Sequence, residues 1–383
     1  MINILFIHQS ADLYGSDKTL LLLLKNINRQ RFNPIVILPK EGPLKTELEK
    51  ENIIVIIAPV LKLYRKMFTP KNIVLFLRQI KSAVKILDAL NKEYHFDIIY
   101  SNTLAVLLGM IYAQKRKIKH LWHVHEIIVH PKIIAAIFPK ILNRYADIIV
   151  CNSFATKNNL TKRKSGLEAK TVVIHNGIEP IVSVPDNTSK ADFGYSNSDI
   201  IITLIGRISR LKGHKLLLST FINHLSKNRN SKLLFVGSPV DGQEYYLKEI
   251  EAIILENQLN DKVKILPFTK NLTSIWAITD IAVMPSTEAE SFGLVALEAM
   301  LAKKPVVASK HGGLTEIVVN NQTGFLVEAN NEKELNSAIS KLVENQNLRK
   351  SFGTAGYERA TSEFSLEKYT SSFEKVLAAI KEF

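Results

Sequence analysis

MPSTEAESFGLVALEAMLAKKPVVA, residues 284–308, reads as a strand end and turn (Met284, Pro285, Ser286), a short acidic loop, a helical pattern from Phe292, and a return to strand at 305–308. A strand, helix, strand unit with a polar loop at the carboxyl end of its first strand is the arrangement in which open parallel sheets bind ligands. The loop offers a helix N-terminus, whose unsatisfied N–H groups and dipole favour an anion such as phosphate. Two carboxylates flank that position. Glu290 precedes the helix and Glu298 lies inside it, where Cα–Cβ bonds tilt back toward the N-terminus. Acids beside a phosphate repel it, so they suit neutral hydroxyls that donate hydrogen bonds. A diphosphate between hydroxyl-rich rings, as in a nucleotide-sugar, meets both demands. Stripped of context, two glutamates eight residues apart read as a solvated loop acid and a surface helix acid.

Outward from this stretch, strand patterns recur at 2–7, 34–38, 53–57, 98–100, 120–124, 147–151, 171–174, 200–205, 233–237, 263–268 and 321–327, separated mostly by helical stretches. That alternation is α/β construction with parallel sheets. A chain of 383 residues exceeds one ordinary domain, so two of roughly 180 residues each are expected. His175-Asn176-Gly177-Ile178 closes the first, and 182–199, polar with Pro185 and Gly194, reads as a linker. The expected domains are 1–180 and 181–363, with an amphipathic tail helix at 364–383. The single cysteine, Cys151, sits in the strand-like IIVCNS and reads as a buried small hydrophobe, which suits a reducing cytoplasm. No signal segment opens the chain and no run of about 18 apolar residues could span a bilayer.

The net charge of +14 is uneven: residues 1–180 hold 27 Lys+Arg against 13 Asp+Glu, whereas 181–383 hold 23 of each. Between 60 and 145 the tally is 15 against 4. No nucleic-acid-binding motif accompanies this charge. In 61–90, basic Lys62, Arg65, Lys66, Lys71, Arg78, Lys81 and Lys85 interleave with apolar Leu63, Met67, Phe68, Ile73, Val74, Phe76, Leu77, Ile80 and Val84. Such a segment is either a core helix with a solvated face or an attachment to an anionic membrane surface. Lys115-Arg116-Lys117 and the apolar-basic 131–144 add to the same sign.

Candidate site residues lie at strand ends. The loop after the first strand, 8–17, carries one glycine, Gly15, where a doubly wound fold brings backbone to phosphate. Trp122-His123-Val124-His125-Glu126 puts two histidines on one face of a strand with an acid after them. Zinc lacks a third ligand at a sensible spacing, so no metal is expected; His125, at the strand's carboxyl end, suits a hydroxyl or phosphate. Ser101 and Asn102 end the preceding strand on the same edge. Gly206-Arg207-Ile208-Ser209-Arg210-Leu211-Lys212-Gly213 directly follows the strand 200–205. An Arg and a Lys five apart across a turn can converge on a phosphate pair, one as a planar fork and one as a point charge.

Together these stretches resemble the retaining GT-B glycosyltransferases of glycosyltransferase family 4. Glu290, Phe292, Gly293, Leu294, Glu298, Ala299 and Met300 fit the frame E-x-F-G-L-x-x-x-E-A-M, and 206–213 fits the diphosphate signature G-R-x-x-x-x-K-G without a gap. The likeness covers nearly the whole chain, most strongly 200–327. Lys303 and Lys304 depart from it, standing where the family has a small residue and a glycine, as does Tyr14, where a second glycine is common.

The resemblance implies a GT-B architecture of two Rossmann-like doubly wound domains facing a central cleft, whose closure completes the site. The basic N-terminal domain would bind the acceptor, the C-terminal one the donor, and the tail helix would cross back to the first. Arg207 and Lys212 would hold the donor diphosphate, Glu290 the donor-sugar hydroxyls and Glu298 the ribose. Phe268 would lie near the base, Ser291, Phe292, Gly293 and Leu294 at the phosphate, and Gly15 between donor and acceptor. Tyr14, Asn102, His125 and Glu126 would line the acceptor side, with His125, Arg207, Lys212 and Glu290 carrying the chemistry. The implied reaction is front-face transfer of a hexose from a UDP- or GDP-sugar to a glycan or lipid-linked acceptor, without cofactor or metal. The implied setting is bacterial envelope polysaccharide synthesis at the inner face of the cell membrane. Rival readings are a nucleotide-sugar epimerase of the same architecture and a non-catalytic scaffold.

Overall fold

The computed structural model describes residues 1–62, 70–179, 188–240, 242–269 and 271–382. The expectations placed on Leu63, Arg65, Lys66, Met67, Phe68 and Pro185, and on a domain boundary at 180/181, lie outside these residues, as do the side chains of Lys71 and Ile73. The chain forms two compact units, one of Met1–Ile178 with Ser365–Phe383 and one of Glu179–Phe364.

In the first unit, strands β1 (Ile2–His8), β2 (Phe32–Leu38), β3 (Ile54–Ile57), β4 (Ile98–Asn102), β5 (Lys119–Val124), β6 (Ile148–Cys151) and β7 (Thr171–Val173) alternate with helices. These are α1 (Gly15–Asn26), α2 (Pro43–Lys50), α3 (Pro70–Tyr94), α4 (Leu108–Arg116), α5 (Lys132–Tyr145) and α6 (Phe154–Thr161). The second unit holds β8 (Ile200–Ile205), β9 (Ser231–Val236), β10 (Val263–Leu266), β11 (Ile281–Met284), β12 (Val306–Ser309) and β13 (Gly324–Val327). Its helices are α7 (His214–Thr220), α8 (Tyr245–Glu256), α9 (Thr273–Ile278), α10 (Leu294–Leu301), α11 (Leu314–Ile317), α12 (Glu332–Glu344) and α13 (Gln346–Glu363). Helix α14 (Leu366–Glu382) belongs to the first unit.

Both sheets are parallel throughout, in the orders β3-β2-β1-β4-β5-β6-β7 and β10-β9-β8-β11-β12-β13. Each is a Rossmann-like doubly wound sheet, and each reverses direction once, between β1 and β4 and between β8 and β11, which opens a crevice at the strand carboxyl ends. Strands buried on both faces read as continuous apolar runs. In β1, Leu5 and Ile7 pack with Val84, Leu87 and Tyr112 on one face, while Ile4 and Phe6 pack with Leu20, Leu23 and Phe373 on the other. Tyr369, Phe373, Leu377 and Ile380 form one buried stripe of α14 against this second layer. Each buried side chain of that size contributes roughly 1.5–3 kcal/mol, so the tail is an integral layer of the first unit.

Two departures from the sequence reading are local. Helix α10 begins at Leu294 rather than at Phe292, because Gly293 is its N-cap at φ 127° and Phe292 is buried edge-on to Phe364. In the turn before Pro305, Lys303 takes φ 56° and lays its ammonium 5.0 Å from the Tyr357 ring, a cation–π contact that offsets part of the left-handed strain.

Candidate functional site

In the second unit the loops after β8 and β11 flank the switch point and are tied together. The Leu211 carbonyl accepts from Thr287 N–H at 2.9 Å, the Arg210 carbonyl from Thr287 Oγ1 at 3.0 Å, and the Arg210 guanidinium bonds Glu288. Gly213, at φ 77°, lets them touch, since a Cβ there would lie 1.9 Å from the Pro285 carbonyl oxygen. Across the gap, Lys212 Nζ stands 2.8 Å from Glu290 Oε2, and Ser286 Oγ donates to Glu290 Oε1. The two charged side chains are 28% and 19% exposed. Burial disfavours the Glu290 carboxylate, yet the Lys212 charge, with hydrogen bonds from Lys212 and Ser286, holds its pKa below the ordinary value. Lys212, Ser286, Glu290 and Gly293 line a small pocket floored by Leu204, Ile205, Val283 and Ala296.

Arg207 is exposed on the same loop as Lys212, directly after β8. Ser291, Phe292, Gly293 and Leu294 carry the chain from Glu290 into α10, and Glu298 lies half-buried in that helix. Phe268 is 44% exposed just beyond β10 and its N–H donates to Ser238 Oγ at 3.0 Å. Of the expected donor residues of this unit, Lys212 and Glu290 are in direct contact, while Arg207, Phe268 and 291–294 follow strands of the same sheet. The sequence reading kept the cation and the acid on separate parts of a ligand; in the structure Lys212 and Glu290 hold each other. It also left Ser286 and the turn His311-Gly312-Gly313 out of the site. That turn is packed: Gly313 N–H donates to the Glu290 carbonyl at 2.8 Å, a Cβ on Gly312 would lie 2.2 Å from it, and His311 Nε2 is 2.8 Å from the Ser286 carbonyl.

The first unit has its own switch-point cluster. His125 Nε2 is 2.9 Å from Asn102 Oδ1 and 3.1 Å from His123 Nδ1, and Asn102 Nδ2 is 2.9 Å from His8 Nδ1. His8 Nε2 bonds the Asp17 carboxylate, which also accepts from Ser10 Oγ at 2.5 Å and from Tyr14 N–H at 2.9 Å. Burial raises the Asp17 pKa, but the His8 bond and charge, Ser10 and the Tyr14 N–H together bring it below the usual value. Burial drives His125 down to about 3 and holds His123 well below the ordinary imidazole value, so both rings are neutral at physiological pH.

Of the expected acceptor-side residues, Asn102 and His125 are in direct contact. Tyr14, 42% exposed, caps α1, and Gly15 opens that helix in the first unit, apart in the chain from the other donor residues. The Asp17 carboxylate occupies the N–H at this helix start, which makes the loop unsuited to a second anion. Glu126 differs most from expectation. Both its oxygens accept from backbone, from Leu104 N–H at 3.1 and 3.2 Å and from His125 N–H at 3.0 Å, and burial raises it to about 7. These bonds, with Trp122 Nε1 donating to the Thr103 carbonyl at 2.8 Å, hold Thr103 at φ 84°. A β-branched residue there costs about 1–3 kcal/mol, so Glu126 secures the turn that aims Asn102. His8 and Asp17 were missed, and His123 was named without a role. The signal for the first two was a histidine ending the first strand and an acid in the first turn of the following helix.

Residues 15–181 match glycosyltransferase family 4 and residues 186–359 match glycosyl transferases group 1. An uncharacterised glycosyltransferase of Methanocaldococcus jannaschii, MJ1178, is 28% identical over 86% of this chain and 86% of its own. The capsular polysaccharide biosynthesis glycosyltransferase CapM of Staphylococcus aureus is 27% identical over 77% of this chain and 79% of its own. Among solved structures, Anabaena Alr3699/HepE in complex with UDP-glucose superposes with a TM-score of 0.85 at 26% identity, covering 99% of this chain and 100% of that one.

Proposed function

Since the chain belongs to the GT-B glycosyltransferases, a family 4 half followed by a group 1 half, we propose that it transfers a sugar, with retention, from a UDP- or GDP-sugar to a glycan or lipid-linked acceptor. The observation that carries this is the contact of Lys212, Glu290 and Ser286 at the β8/β11 switch point, with Arg207 on the same loop. Arg207 and Lys212 bind the diphosphate, Glu290 accepts from sugar hydroxyls, and Glu298 and Phe268 receive the ribose and base. In the transfer the bond from the anomeric carbon to the phosphate oxygen breaks and a bond to the acceptor oxygen forms on the same face. The acceptor proton passes to the departing phosphate oxygen. Charge grows on the diphosphate, where Arg207 and Lys212 stabilise it electrostatically, in this reading without a metal. HepE and CapM, as a UDP-glucose complex and a capsular enzyme, support a nucleotide-sugar donor and envelope polysaccharide synthesis. Incubation with UDP- and GDP-sugars, with and without glycan acceptors and in EDTA, followed by NMR of the product anomer, tests it. A product with the donor's anomeric configuration is expected; an inverted product, or isomerised donor without acceptor, overturns it.

The first unit docks on anionic lipid, peripherally, on the cytoplasmic face. Among the described residues no helix is long and apolar enough to cross a membrane. On α3, Val74, Leu75 and Leu77 are about half exposed beside exposed Arg78, Lys81 and Lys85; on α5, Ile133 and Ile137 stand out beside Lys132, Lys140 and Arg144. Apolar side chains interleaved with cations on helix surfaces suit the headgroup boundary of an acidic bilayer. The protein should float with liposomes containing about a third anionic lipid and be released by high salt. Equal flotation with purely zwitterionic liposomes would refute the charge dependence.

A further inference from the structure

The cluster at the β1/β4 switch point is a chain of hydrogen bonds whose direction is set from one end. The Asp17 carboxylate accepts only, so His8 Nε2, which bonds it, carries a proton. The amide nitrogen of Asn102 lies 3.4 Å from the Ser16 carbonyl, another pure acceptor, as well as 2.9 Å from His8 Nδ1. His8 Nδ1 is therefore the lone pair and Asn102 Oδ1 faces the other way, 2.9 Å from His125 Nε2. An oxygen there requires a proton on Nε2.

We infer that Asp17, acting through His8 and Asn102, is a positioning residue that holds His125 as its Nε2–H tautomer, so that His125 Nδ1 meets substrate solely as a hydrogen-bond acceptor. The ligand group it takes is thus a hydroxyl and not a phosphate oxygen. This rests on the sugar-transfer reading for the ligand's identity, but the tautomer itself does not. The partly exposed ring is neutral, and His123 Nδ1, which Tyr100 OH approaches to 2.7 Å, sits 3.1 Å from the same Nε2, a second acceptor consistent with a proton there.

Asp17→Asn separates the alternatives. Tyr14 N–H sits on Oδ2 and requires an oxygen, so the new amide nitrogen falls opposite His8 Nε2 and reverses the chain. Imidazole 15N–1H spectra of histidine-labelled protein, with the His125 signals assigned by their loss in His125→Gln, read the tautomer directly. The expected result is Nε2–H in the wild type, a shift toward Nδ1–H in Asp17→Asn, and a fall in sugar transfer of about a hundredfold with UDP affinity changed less than twofold. A wild-type His125 protonated on Nδ1 overturns the inference even where the variant fails to fold, and so does an unchanged tautomer in Asp17→Asn. A switched tautomer with undiminished transfer overturns the hydroxyl assignment. If the wild type transfers no sugar at all, the spectra still decide the chain while the sugar-transfer reading falls.

Discussion

Lys212→Ala should lower sugar transfer by roughly a thousandfold, the upper end of what one preorganised electrostatic contact supplies, or about 4 kcal/mol of transition-state stabilisation. Lys212 is the cation that enters the pocket, 28% exposed and held by the turn through Gly213. Leaving-group charge that develops in a half-dry site is stabilised far more strongly than in water. The substitution also strips Glu290 of its partner. A carboxylate whose folded pKa is depressed contributes stability above its unfolded pKa, near 4.3, and loses it as pH falls through the folded value. Wild-type stability should therefore decline in acid partly through Glu290, and Lys212→Ala should lack that contribution even at pH 7. Turnover at saturating donor, beside urea melts at pH 7 and pH 4, measures both. Transfer within a few-fold of wild type would remove the diphosphate role from Lys212.

Glu290→Gln should split nucleotide binding from chemistry. Glu290 competes with a diphosphate for Lys212, since the two side chains are 2.8 Å apart. Neutralising it frees the ammonium, and UDP alone should bind several-fold tighter. Sugar transfer should fall about a hundredfold, because an acceptor of hydroxyl hydrogen bonds at the reacting ring is weakened, and an interaction used in the transition state appears in kcat. Calorimetry with UDP and initial rates on the same preparation read the two effects. Weaker UDP binding in Glu290→Gln would show that the carboxylate helps the nucleotide rather than competing with it.

Much of the fold was legible because burial on both faces leaves a mark in one dimension. The runs at 2–7, 200–205 and 281–284 are apolar without alternation, and β1, β8 and β11 form there. Gly206, Arg207, Lys212 and Glu290 were legible as turn and charged residues beyond strand ends, and the structure places them in the loops after β8 and β11. The start of α10 was misjudged by two residues because Phe292 is apolar and fits a helical pattern, whereas the φ 127° of Gly293 belongs to the turn that seats it.

The sequence by itself determined two alternating α/β halves, the basic character of the first, and a set of cations and acids at strand ends in the second. Only the tertiary structure decided which of these touch. Strand order brings β8 beside β11 and β1 beside β4, and hydrogen bonds between residues 78 or 94 positions apart, such as Lys212 to Glu290 and Asn102 to His8, follow from that order. Local pattern records the burial of each segment, and a contact between distant segments depends on how the sheet is wound, which no single segment encodes.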